Sequence, residues 1–217
     1  MLAPFLLAGA GEARARAWDV TAAEDISACP DVGLCVVESR TRYRVEGRSD
    51  RHFVDELKDA GAREAQSAHA LTEFGITLSY DLQAHPEGCR IERIGMRMEV
   101  DMQLPRLVDD VRSSAERRSQ WRQAREGLNR HERGHVDLAY EHAGRLLEAL
   151  HALPVSADCG GARRAAGREY MRHSMRHALA QQLYDQRTGS GARQGAVVAL
   201  PTGERAQALP LMTFPSR

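Results

Sequence analysis

The sequence predicts an α+β fold: a small antiparallel sheet packed against long helices. Three features carry this reading. Stretches between residues 34 and 104 alternate apolar and polar side chains, as half-buried strands do. Between Pro105 and Pro154 no proline intervenes, and Trp121, Leu128, Val136, Leu138, Leu146, Leu147 and Leu150 recur at helical intervals. Hydrophobic residues make up 42 % of 217, enough for a core, while aromatics are only 5 %, so that core is aliphatic.

Met1 to Ala10 is a short apolar run, and Ala13, Ala15 and Ala17 place small residues at alternate positions beyond it. Residues 1–17 therefore read as the remnant of an export signal lacking its charged start. A single domain is expected over residues 18–196, and a poorly ordered tail over 197–217. "LCVVESRTRYRVEG" (34–47) alternates around Val36, Tyr43 and Val45 and predicts a strand. Ser49 then caps a helix with apolar positions Phe53, Val54 and Leu57, stopped by Gly61.

In "AHALTEFGITLSYDLQA" (68–84), Phe74, Ile76, Leu78, Tyr80 and Leu82 share one face. "HPEG" (85–88) makes a turn, and "CRIERIGMRMEVDMQL" (89–104) returns as the second strand of an antiparallel hairpin. The step from Ile91 to Ile94 breaks the two-residue period, which predicts a bulge near Gly95. Pro105 is expected to end the strand, Gly127 to separate two helices, and a further helix to span 161–183.

Acids and bases balance at 30 each, which removes the long-range attraction that nucleic acid or anionic membrane requires. No later run is long and apolar enough to span a bilayer. Cys29, Cys35, Cys89 and Cys159 form an even set without a C-x-x-C pair, which favours two disulfides over a zinc cluster. Cys29 and Cys35 could close a small loop, leaving Cys89 and Cys159 to tie a strand to a helix end. Three pairings remain open at this stage.

The stretch "RHERGHVDLAYEH" (130–142) supplies the chemistry. Residues four apart on a helix share a face, so His131 and His135 aim two imidazoles at one point. Glu132 sits beside them, where it can serve as general base to a water activated by zinc. This is the H-E-x-x-H arrangement of zinc metallopeptidases. Arg133 and Asp137 depart from the uncharged residues such helices usually carry. Glu141 and His142 read as surface residues; His142 lies about 10 Å further along the helix than His135. Trp121 reads as core, and Tyr184 as half-buried packing that could alternatively offer its hydroxyl to a tetrahedral intermediate. Arg163, Arg164, Arg168, Arg172 and Arg176 read as a solvated basic face.

"WRQAREGLNRHERGHVDLAYEHAGRLLEAL" (121–150), preceded by a Cys-bearing strand and followed by a Cys, resembles a bacterial family of predicted secreted zinc-dependent proteases known as domain of unknown function 922. "YRVEG", the hairpin and "YDQRTGSGARQGA" extend the resemblance over roughly residues 40–196. It implies a zincin-like helix, one zinc ion per chain, a periplasmic or secreted location and a peptide or protein substrate it leaves unspecified. In the family's C-terminal pattern, Tyr-Asp is followed after two residues by Thr and then, after one more, by His-Gly. Tyr184, Asp185, Thr188 and Gly191 match, while Ser190 stands at the His position. Catalytic zinc takes three protein ligands and keeps a fourth position open. Asp185 is the first candidate for the third ligand and His177, paired four residues on with His173, is the alternative. The competing expectation is a non-enzymatic cell-envelope binding module with a structural or lost metal, docking through the hairpin or the Arg stripe.

Overall fold

The computed structural model describes residues 20–23, 25–45, 70–107 and 114–196. The expected leader (1–17), the helix over 49–61 and the tail (197–217) lie outside these residues. Four strands, β1 (Val20–Ala23), β2 (Gly33–Val45), β3 (Leu71–His85) and β4 (Gly88–Leu107), form one sheet in the order β1-β2-β4-β3. Two long helices, α1 (Ala115–His151) and α2 (Cys159–Thr188), follow.

The expected hairpin is present: β3 pairs antiparallel with β4, from Leu71 opposite Gln103 to His85 opposite Gly88. The register slips where Ser79 faces Gly95 but Asp81 faces Glu92, so β4 carries one extra residue beside Gly95. Arg93 takes a φ of 48° there, which re-aims Ile94 into the core, where it is 1 % exposed.

Three expectations need correction. The sheet is mixed, because β2 runs parallel to both β1 and β4. Alternation reveals which face of a strand is buried but carries no information about its partners. Pro105 does not end β4; it lies opposite Tyr43 of β2. Among the described residues the pairing with β3 runs to Gln103, so Pro105 sits past the last described β3 partner, where a missing N–H is tolerated. Gly127 does not break the helix; α1 runs unbroken through it. A Cβ on Gly127 would stand 2.3 Å from the Ala196 nitrogen, so the glycine admits the returning chain.

The core is a single layer between sheet and helices. Met96, Met98, Val100 and Met102 of β4 meet Val136, Ala139, Ala143, Leu146 and Leu150 of α1. Met96 and Met98 are fully buried, each contributing about 1.5–3 kcal/mol. Trp121 is buried, as expected. Helix α2 contributes small residues, Ala162 and Ala166, which let it lie close to the layer. Asp158 caps its start by accepting from the Gly161 N–H, and Gly189, in the left-handed region, caps its end.

The disulfides are Cys29–Cys35 and Cys89–Cys159. The second joins the start of β4 to the first residue of α2. Next to it, Cys89 and Ser156 exchange two backbone hydrogen bonds at 2.8 Å. Among the described residues, no helix is long and apolar enough to cross a membrane.

Candidate metal centre

His131 and His135 lie in the middle of α1, one turn apart, with their Nε2 atoms 3.1 Å from each other. Asp185, near the end of α2, places its Oδ1 3.2 Å from His131 Nε2 and 3.1 Å from His135 Nε2. The three atoms thus form a nearly equilateral triangle. Ligands bound tetrahedrally to one metal ion at 2.0–2.1 Å stand about 3.3–3.4 Å apart, so this triangle has the size of one face of such a site. Among the described residues this is the group of His, Cys, Asp or Glu that could hold a metal ion.

The Tyr184–Gly191 stretch at the end of α2 converges on the same point. The Tyr184 ring stacks on His131 at 5.2 Å between centroids. Its hydroxyl donates to the His131 carbonyl at 3.2 Å and receives the Gln194 amide N–H at 2.9 Å. Both partners hold it in packing, the reading preferred from sequence. Thr188 Oγ1 lies 3.3 Å from His131 Nδ1 and donates to the Tyr184 carbonyl at 2.9 Å. A Cβ on Gly134 would stand 1.9 Å from the Tyr184 hydroxyl, so the motif's glycine is what lets α2 approach. Ser190 closes the helix end with its backbone N–H on the Asp185 carbonyl at 2.8 Å. The triangle is complete without a histidine at that position.

Glu132 is 4 % exposed, and Thr72 of β3 donates to its Oε2 at 2.6 Å. Burial raises the Glu132 pKa; the Thr72 hydrogen bond and the neighbouring histidine charges offset this only in part. Burial also raises the Asp185 carboxyl, but its hydrogen bonds to His131 and His135 outweigh that and bring it down to about 2. For His135, burial lowers the pKa, yet hydrogen bonds to Asp185 and Gln181 and the charge of Glu132 leave it raised.

The two charged residues of the motif helix serve packing. Arg133 Nη1 meets both carboxylate oxygens of Glu38 on β2, at 3.0 and 2.9 Å, and its Nε lies 3.3 Å from Asp137. Tyr140 donates to the same Glu38 at 2.8 Å. These contacts lock α1 onto the sheet beside the site.

His177 does not join the triangle. It lines a separate cavity of about 270 Å³ with His142, His173, Phe74, Leu146 and Tyr170. His173 is buried, and His142, read from the sequence as a surface residue, is half-buried with a buried Nδ1, because α1 and α2 face each other there. Burial, then the neighbouring histidine charges, lower the His177 pKa to about 4. Gln181 and Gln194, which contact the Nδ1 atoms of His135 and His131, were not legible from the sequence. Neither belongs to a recognisable spacing, and each is more than forty residues from the histidine it meets.

Taken together, the mixed sheet and paired helices define an α+β protein with a histidine–aspartate cluster that could hold a metal ion. The chain belongs to a bacterial family of unknown function, DUF922, whose model matches residues 40–192. No curated protein and no solved structure matches it.

Proposed function

We propose that this protein is an exported, zinc-dependent hydrolase of the metallopeptidase type, with His131, His135 and Asp185 holding one zinc ion. The observation that carries the reading is the 3.1–3.2 Å triangle of donor atoms beside a buried carboxylate. Zinc at such a site polarises a carbonyl and lowers the pKa of a water towards about 7. Glu132 is the general base. Thr72 occupies its Oε2, leaving Oε1 to take the proton from the attacking water and pass it to the leaving amine. Burial raises its pKa, which strengthens the carboxylate as a base. Asp185 compensates the charge of the ion and fixes both imidazole edges. The two disulfides support a periplasmic or secreted setting.

A structural metal would call for a fourth protein donor. Among the described residues the cluster holds three, which favours an open position. The test is metal analysis with peptide-library cleavage. Purified protein should carry about one zinc per chain, lost in His131→Ala. Glu132→Gln should keep the metal and lose cleavage. Wild type that binds no zinc, or Glu132→Gln that still cleaves, refutes the proposal.

A further inference from the structure

Resting on the metal reading above, we propose that Gln181 and Gln194 are positioning residues that fix both imidazoles in the tautomer bearing the proton on Nδ1. The inference follows from the hydrogen-bond chains. Gln181 Nε2 lies 3.1 Å from the His135 carbonyl oxygen, which can only accept, so the nitrogen of this amide faces the carbonyl. Gln181 Oε1 is then the atom 2.5 Å from His135 Nδ1, and that ring nitrogen must carry the proton. The amide's second N–H points at His177 Nε2, 2.6 Å away. His177 serves as the buttress: kept neutral by burial, it offers a lone pair and holds the amide in place.

The second chain has the same logic. Tyr184 spends its hydroxyl proton on the His131 carbonyl, so it must accept from Gln194 Nε2. Gln194 Oε1 consequently faces His131 Nδ1 at 3.0 Å. Thr188, which donates to the Tyr184 carbonyl, presents a lone pair to the same nitrogen. Each chain ends on the backbone carbonyl of the histidine it orients. With both Nδ1 atoms protonated, both Nε2 lone pairs point with the Asp185 oxygen at one spot. The hydrogen bonds to Asp185 belong to the protonated rings; once neutral, each ring keeps its Nδ1 proton and leaves its Nε2 lone pair, beside the Asp185 oxygen, for a cation. Such outer partners set ligand orientation and tautomer at metal sites.

The experiment is long-range proton–nitrogen correlation NMR on metal-free, ¹⁵N-histidine-labelled protein, at a pH where the rings are neutral. His131 and His135 should both show Nδ1–H, the reverse of the form free histidine prefers. Gln181→Leu should release His135 from that form and weaken Zn²⁺ binding about 10- to 100-fold. Gln194→Glu, which keeps an acceptor towards His131 and lets Tyr184 donate to its other oxygen, should retain the tautomer. A merely structural role for Gln181 would lower the melting temperature and leave the tautomer unchanged. Nε2–H at either histidine in wild type overturns the inference, as does a Gln181→Leu protein with unaltered tautomer and affinity. If Gln181→Leu does not fold, the wild-type spectrum decides alone. Wild type that shows Nδ1–H at both rings but takes up no Zn²⁺ would sink the metal reading and not this one.

Discussion

Thr72 donates its hydroxyl proton to Glu132 across 2.6 Å, tying the edge strand β3 to the motif helix. The bond favours the ionised carboxylate against the opposing effect of burial. Thr72→Val removes it at nearly constant volume, so the Glu132 pKa should rise further. If Glu132 is the base, the acid limb of the pH–rate profile shifts to higher pH, with the alkaline plateau retained. An unmoved acid limb would show that Glu132 does not control it.

Asp185→Asn should weaken zinc binding by more than the roughly 10- to 100-fold expected for losing an outer-sphere partner. An amide keeps the shape but gives up the charge and one strong donor oxygen. Titration with a chelator competitor measures the difference. Unchanged affinity would exclude Asp185 from the set.

Metal-free protein should lose stability as pH rises through neutrality. The His135 pKa is raised above 6.5, so its contribution is complete below that value and disappears as pH passes its folded value. Glu132, raised above 4.5, acts in the same direction over its own window. Asp185 is opposite: held down to about 2 from 3.8, it contributes above pH 3.8 and loses that contribution as pH falls through about 2. His177, lowered to about 4 from 6.5, with His142 and His173 also lowered, adds stability as pH rises towards 6.5, so urea midpoints of the metal-free protein should decline above pH 6.5 and not below it. The decline should be shallower in His135→Gln.

Cys89 and Cys159 are 70 residues apart in sequence. Closing a loop of that length restricts the unfolded chain by about 4 kcal/mol in the chain-entropy account. Replacing both by serine should lower the melting temperature by roughly 10 °C for a chain of this size. A change within about 2 °C would mean the unfolded state is already compact there.

Gly134→Ala drives a methyl group into the Tyr184 hydroxyl. Relief requires the Tyr184 ring or α2 to move, at about 1–3 kcal/mol, and disturbs the packing beside Asp185. Zinc affinity and melting temperature should therefore fall together. Loss of stability with full zinc affinity would show that the two helices can separate without disturbing the cluster.

Features enforced by residues close in the chain could be read locally. Spacing four apart on one helix brings His131 and His135 together, and two-residue alternation predicts the β3–β4 hairpin with its bulge near Gly95. Asp185 was reachable only through its place in the family motif. Everything that needs distant segments to meet was decided by the tertiary structure. The parallel pairing of β2 with β4, the tolerance of Pro105, the closeness at Gly127 and Gly134, and the hydrogen bonds of Thr72, Gln181 and Gln194 all depend on packing across roughly forty to seventy residues of chain. Periodicity tells a side chain which way to face. It cannot say what will be waiting there, because contact partners are chosen by how whole elements pack and not by any local preference.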